Sequence, residues 1–300
     1  MRSKKNGFLK YVVLVLIAAV VAVFVWNAGR HIERFENNQA IPKKIWTFWD
    51  SADTVPEFVK LCMESWKKYN PEYELHMLHK NTLSKFIDIP DNIQSHPNFN
   101  DTRSRFADLV RLYLLEKHGG IWIDASCLMY QPFDEWLPFD AGYFSYTYNQ
   151  GHPEFKYPII ENWFIAAVPQ HPFVVAWKRE FLEIAKYQSV QAYLDSRKAM
   201  GVDVSAFEGM ANYLGMHVAA QKIMQIDKYP VSSLTLKETS QAGGPFWFLI
   251  KNGWDANKAI EEACVDTSLR KPFLKFHGPS RDVFSSRLKT DMTNAKCHWS

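Results

Sequence analysis

The chain has 300 residues and a formal net charge of +3, and 47% of it is hydrophobic. That length allows one or two domains. Arg2, Lys4, Lys5 and Lys10 carry the positive excess and leave the remainder slightly acidic, so no basic patch points to nucleic acid and no nucleic-acid partner is expected.

The first element is the apolar run from Phe8 to Trp26, interrupted by one charge, Lys10. As a helix it covers roughly 28 Å, enough for a bilayer's hydrocarbon core. Tyr11 and Trp26 stand where interfacial aromatics are expected, and Arg2, Lys4, Lys5 and Lys10 precede the apolar core of the run. The positive-inside rule then predicts a single-pass type II arrangement: residues 1–7 as a cytoplasmic tail, 8–26 as a transmembrane signal anchor, 27–40 as a short stem and 41–300 as the working domain. A cleaved signal peptide is the competing reading; its apolar region would be long, and Trp26 interrupts the small-residue cleavage pattern.

"KKIWTFWD" (43–50) reads as a buried strand, and "PEFVKLCMESWKKYN" (56–70) as a helix, with apolar residues at helical spacing. "YELHMLHK" alternates as a second strand. After a short helix and a polar loop comes a helix opening near Ser104, a Gly119-Gly120 stop, and a strand through "IWID". The order β-α-β-α-α-β is that of an α/β domain with a mostly parallel sheet flanked by helices. Beyond it, "AGYFSYTY" and "ENWFIAAVP" read as strands, "HPFVVAWKREFLEIAKY" and 206–226 as helical, and "PFLKFHGPSRDVF" as a closing strand and loop. Cys62, Cys127, Cys264 and Cys297 show no zinc-ligand spacing; a disulfide between Cys264 and Cys297 and four free thiols are the two readings. Asn100-Asp101-Thr102 is a glycosylation sequon.

The chemistry concentrates between Ser104 and Cys127. On a helical wheel Phe106, Ala107, Leu109, Val110, Tyr113 and Leu114 share one arc, the expected core face. Asp108 and Arg111 project from the other side as an i,i+3 pair, together with Leu112 and Leu115. They form either a surface salt bridge of little energetic consequence or one wall of a partly enclosed ligand cleft. Asp124 is placed at the carboxyl end of a strand, where open α/β sheets bind ligands.

"FADLVRLYLLEKHGGIWIDAS" resembles the donor-site motif of glycosyltransferases of the GT-A fold, and is most similar to the capsular polysaccharide synthesis family and its Och1-like mannosyltransferase and clostridial toxin glucosyltransferase relatives. Those enzymes carry a pattern of the type "SDxxRxxxLxxxGGxYxDxD". "IPKKIWTFWDS", "SWKKYNPEYELHML" and "ENWFIAAVPQHPF" resemble further segments of the family, and "GGPFWF" resembles a Gly-Pro turn near its acceptor side. The resemblance implies a GT-A-like, Rossmann-like fold and transfer of a sugar, expected to be a hexose, from a nucleotide-sugar donor to a glycan or polysaccharide acceptor with retention of configuration. It assigns Asp108 to a sugar contact, Arg111 to phosphate or sugar, and Asp124 to the first aspartate of a D-x-D motif. Trp49 would stack on the base, Asn162 would bind sugar and Arg281 would reach the diphosphate. It also implies a divalent metal, Mn²⁺ or Mg²⁺, held by Asp124, Ser126 and His277. Ser126 replaces the second aspartate, the usual direct ligand, with a neutral and weaker one. His277 either supplies the missing ligand or is an ordinary loop histidine. Asp203, Glu208 and Glu161 are the candidate bases. Trp122, Trp163 and Trp247 are candidate sugar platforms. The topology implies a Golgi or endoplasmic reticulum membrane in a eukaryote and the plasma membrane in a bacterium. A catalytically silent, membrane-tethered relative that binds glycans or partners a transferase is the alternative. No nucleophile elbow and no second acidic cluster support a serine hydrolase or a two-metal phosphohydrolase.

Overall fold

Ile45, Trp46, Thr47 and Phe48 are consecutive and all buried, which a strand achieves only when both of its faces are covered. The structure, a computed structural model, describes residues 39–149, 155–207, 209–210 and 213–291. The expected tail 1–7, the span 8–26, nearly all of the stem, Glu208 and Cys297 lie outside them. Among the described residues no helix is long and apolar enough to cross a membrane.

The strand just introduced, β1 (Lys44–Phe48), pairs in parallel with β2 (Glu74–Leu78) and β3 (Gly120–Ile123). The six-stranded sheet has the order β2-β1-β3-β6-β5-β7, with β5 at Tyr143–Thr147, β6 at Ile160–Ala167 and β7 at Thr235–Glu238. Only β6 runs against the others, since it is antiparallel to both β3 and β5 while β5 and β7 are parallel. The expected mostly parallel sheet is therefore present. A separate two-stranded ribbon pairs β4 (Cys127–Met129) with β8 (Phe273–Lys275) in antiparallel fashion.

Alternation along β1 and β3 divides the interior into two layers. Trp46, Phe48 and Trp122 enter one core, Ile45, Ile121 and Ile123 the other. Helices α2 (Arg103–His118), α3 (Pro172–Leu182), α4 (Val190–Ala199) and α5 (Gly215–Gln225) cover the first face. The second face carries α1 (Glu57–Tyr69), α6 (Trp247–Lys251), α7 (Ala256–Val265) and α8 (Gly278–Asp291).

Several readings need correction. Among the described residues of the 206–226 segment the α-helix is confined to Gly215–Gln225, after a 3-10 turn at Ser205–Phe207. The closing "loop" is α8, whose proline sits in the first turn, where a missing N–H costs nothing, and whose Phe284 packs on Phe58 and Phe276. β4, β7, α4 and α7 were not foreseen. Cys264 is disulfide-bonded, which excludes four free thiols; Cys62 and Cys127 are free and buried.

Candidate active site

Thr102 caps α2, its hydroxyl accepting a hydrogen bond from the Arg105 amide at 3.3 Å. The helix ends at Gly119 (φ 62°, ψ −155°), and Gly120 follows at φ 92°. A β-carbon at Gly119 would lie 2.6 Å from Pro169 Cδ, and one at Gly120 would lie 2.7 Å from the Lys44 carbonyl. Only glycine permits both the conformation and the approach, so the glycine pair fixes how α2 hands over to β3.

The expectation of a one-sided helix is wrong in detail. Asp108, Leu112 and Leu115 are as buried as Leu109 and Val110, whereas Ala107 and Tyr113 are only partly buried. Helix α2 is enclosed nearly all round, and its charged pair belongs to the interior. The surface salt bridge is thereby ruled out: Arg111 Nη2 lies 3.2 Å from Asp108 Oδ1, with side chains 4% and 6% exposed.

That pair forms one wall of a cleft of about 500 Å³ lined by Asp108, Arg111, Asp124, Ser126, Asn162, Trp49, His277 and Arg281. All eight expected site residues thus meet in one place. Arg111 is the hub: its Nη2 also faces Asp124 Oδ1 at 3.3 Å, its Nη1 donates to the Asn162 carbonyl, and its guanidinium lies 4.8 Å above the Trp122 ring. The Asn162 amide donates to Asp108 Oδ1 at 2.9 Å, so β6 and α2 orient each other's polar groups. Trp122 donates to Asp124 Oδ1 at 3.1 Å. Trp49 is partly exposed at the rim with the Arg281 guanidinium 5.5 Å from its ring.

One residue escaped the sequence reading. Lys275 on β8 donates to Asp124 Oδ2 at 3.0 Å and to Ser126 Oγ at 2.9 Å, and only 6% of it is exposed. Its signal was present: a lysine inside the apolar run "PFLKF" needs a buried partner. Burial is the largest single influence on Lys275 and works against its charge, but the opposing interactions, led by Asp124, together exceed it and raise the pKa above the ordinary lysine value. Burial likewise raises Asp124, yet Lys275 and then Arg111 leave its pKa below the usual carboxylate range. Asp108 behaves oppositely. Burial pushes it up to about 6, against the opposing pull of Arg111 and His217.

The residues do not fit a divalent ion. Both Asp124 oxygens are engaged by cations, and Ser126 gives its proton to the Phe276 carbonyl at 2.7 Å while accepting from Lys275. His277 Nδ1 is hydrogen-bonded to Ser280 Oγ at 2.7 Å, and burial followed by Lys275 lowers its pKa. Among the described residues no three His, Cys, Asp or Glu side chains converge on a metal position. An ammonium between the two expected oxygen ligands opposes a second cation by charge. The expected metal set Asp124, Ser126 and His277 is therefore corrected.

Of the candidate bases, Glu161 lines the cleft 3.9 Å from His217, while Asp203 is exposed and bonds to Ser205. Trp163 lines the cleft, and Trp247 is not among its lining residues.

Comparison with known proteins places this cleft in context. An O-glycosyltransferase of Annulohypoxylon truncatum is 26% identical over 162 residues, covering 47% of this chain and 37% of that protein. A probable glycosyltransferase of Fusarium pseudograminearum is 27% identical over 173 residues, 53% of this chain and 43% of that one. The chain thus spans less than half the length of these curated relatives. Among solved structures, the ligand-free glycosyltransferase domain from the YGT toxin is similar at 9% identity, covering 86% of this chain and 91% of that chain with a TM-score of 0.48. The profile of the capsular polysaccharide synthesis proteins matches residues 27–201, more than half of the chain and the stretch that holds Trp49, Asp108, Arg111, Asp124, Ser126 and Asn162, so the chain belongs to the capsular polysaccharide synthesis protein family.

Proposed function

We propose that the protein is a glycosyltransferase of GT-A-like build that moves a sugar, a hexose, from a nucleotide-sugar donor to a glycan or polysaccharide acceptor. The observation that carries this reading is the buried Asp108–Arg111–Asp124 array opening into the cleft. Two carboxylates held by one guanidinium can accept hydrogen bonds from sugar hydroxyls, and the cationic side chains beside them attract a diphosphate. Trp49 at the rim offers a flat apolar surface for a base.

In the proposed reaction the acceptor hydroxyl oxygen forms a bond to the sugar's anomeric carbon as the bond from that carbon to the phosphate oxygen breaks. The electron pair of the broken bond stays on the diphosphate, which also takes the acceptor's proton. Retention follows when attack occurs on the face the diphosphate leaves. Arg111 and Lys275 stabilise the charge that develops on the leaving group, the kind of preorganised electrostatics that lowers such barriers. Asn162 and Asp108 orient the sugar. Glu161 and His217, which line the same cleft, would face the acceptor. Residues 8–26 would tether this domain to a membrane as a type II anchor, in the Golgi or endoplasmic reticulum of a eukaryote or the plasma membrane of a bacterium.

The test is donor consumption and transfer by the detergent-solubilised full chain against a panel of nucleotide sugars. One donor should be consumed, and Asp124→Ala should abolish that turnover. Glycan binding with neither turnover nor nucleotide binding would instead establish the silent, glycan-binding alternative, which the serine at position 126 favours.

A further inference from the structure

We propose that Lys275 is the site's built-in cation, an ammonium standing where a divalent metal would otherwise bridge carboxylate and diphosphate, so that nucleotide binding by this chain is metal-independent. The inference rests on the donor reading above and deepens it.

Four observations converge. The Lys275 ammonium lies between the two side chains that a D-x-D motif would use for a metal, 3.0 Å from Asp124 Oδ2 and 2.9 Å from Ser126 Oγ. The backbone fixes that placement: Lys275 is paired with Cys127 across the β4–β8 ribbon, and the Phe276 amide donates to the Ser126 carbonyl at 3.0 Å. The lysine therefore enters the site from a strand, not from a mobile loop. Ser126 suits an ammonium. Its hydroxyl proton goes to the Phe276 carbonyl, which turns a lone pair toward Lys275; an aspartate there would lose that anchor. Finally, an ammonium has three donors, and among the described residues two of those of Lys275 have oxygen acceptors; the third is left for a ligand beside Arg111.

The serine and the lysine thus explain each other. A second aspartate beside Asp124 would demand a divalent ion for charge balance. One carboxylate, one hydroxyl and one ammonium are already balanced, and they leave the cleft-lining ammonium, which also lies 5.9 Å from the Trp163 ring, one donor without an oxygen acceptor among the described residues. The metal's charge-neutralising role toward the departing diphosphate passes to Lys275 and Arg111.

The experiment uses the purified full chain, stripped of metal. Mn²⁺ is titrated into it and followed by electron paramagnetic resonance, and UDP, GDP and ADP are titrated by calorimetry with chelator or with Mn²⁺. The expected result is an undiminished free Mn²⁺ signal and the same nucleotide affinity in both buffers. Lys275→Met should weaken nucleotide binding at least tenfold, and Lys275→Arg should restore part of it. The double substitution Ser126→Asp with Lys275→Ala should acquire a Mn²⁺ site and bind nucleotide only when Mn²⁺ is present. Stoichiometric Mn²⁺ binding by the unaltered chain, or nucleotide binding that chelator abolishes, overturns the proposal whether or not the variants fold. Failure of every nucleotide to bind in both buffers refutes the donor reading itself, and the role of Lys275 with it.

Discussion

Arg111 and Asp124 face each other at 3.3 Å although a helix end, two glycines and a strand separate them in the chain. Asp124 has Lys275 on its other oxygen, so Arg111 is one of two cations on a single carboxylate, and it also balances Asp108. A guanidinium can span both carboxylates and the Asn162 carbonyl because its donors form a planar fork, which a lysine lacks. Arg111→Lys should therefore keep the charge, lose part of the geometry, and reduce transfer about a hundredfold with only a modest fall in melting temperature. Arg111→Met should strand two carboxylates in the interior and destabilise the fold by about 3 kcal/mol or more. Equal transfer rates for the arginine and lysine forms would show that the fork is not used.

The junction that makes this pairing possible is predicted to be intolerant. Gly119 adopts φ 62° and ψ −155°, a region closed to side chains, and its missing β-carbon leaves room for Pro169. Gly119→Ala should cost about 3 kcal/mol or prevent folding, since conformation and clash add. Gly201 also has a positive φ, of +88°, yet nothing lies within 4 Å of an added β-carbon. Gly201→Ala should cost only about 1 kcal/mol. Chemical denaturation of the two variants measures the difference; a Gly119 variant as stable as the Gly201 one would contradict the packing argument.

Much of this was readable in the chain because it is local. Helix α2, its glycine stop and β3 follow each other directly, so spacing alone brings Asp108, Arg111 and Asp124 toward one end of the sheet. The same local reading misjudged how enclosed α2 is. A wheel assigns faces but does not count layers, and Leu112 and Leu115, on the side it left to solvent, belong to the same buried core as residues of α3 and α5. Lys275 was beyond reach for a different reason. It lies 149 residues from Ser126, and the ribbon that joins them consists of two three-residue strands, too short to show any period. The metal assignment failed there: a motif read from one segment has no access to a cation supplied by another.

The two tryptophans of β1 and its exit should separate binding from folding. Trp46 is fully buried, donates to the Gly119 carbonyl at 2.8 Å and stacks on His76, so Trp46→Ala should destabilise by about 3–5 kcal/mol. Trp49 lines the cleft and is partly exposed. Trp49→Ala should leave the melting temperature nearly unchanged and weaken nucleotide binding about tenfold or more, the usual worth of one base stacked on an aromatic ring. Calorimetry on a correctly folded Trp49 variant decides it; unaltered affinity would remove Trp49 from the donor site.

Asp108 gives the fold a pH dependence of unusual sign for a carboxylate. Burial raises its pKa to about 6, while Arg111, His217 and Arg105 pull the other way and Asp124 adds to the rise. A folded-state value above the unfolded one, near 3.9, means that the native state holds this proton more tightly. The associated stability is fully present below about pH 4 and is lost as pH rises through about 6, a change of up to about 3 kcal/mol. Asp124 has the opposite sign, its stabilisation fading as pH falls below the ordinary carboxylate range, so the two windows are separable. Urea unfolding of the unaltered chain and of Asp108→Asn from pH 4 to 8 isolates the Asp108 share, because the asparagine form lacks it. The unaltered chain should lose ground relative to the variant between pH 4 and 6 and run parallel to it above 7. A difference that stays constant across that range would mean that Asp108 is ionised throughout, balanced fully by Arg111.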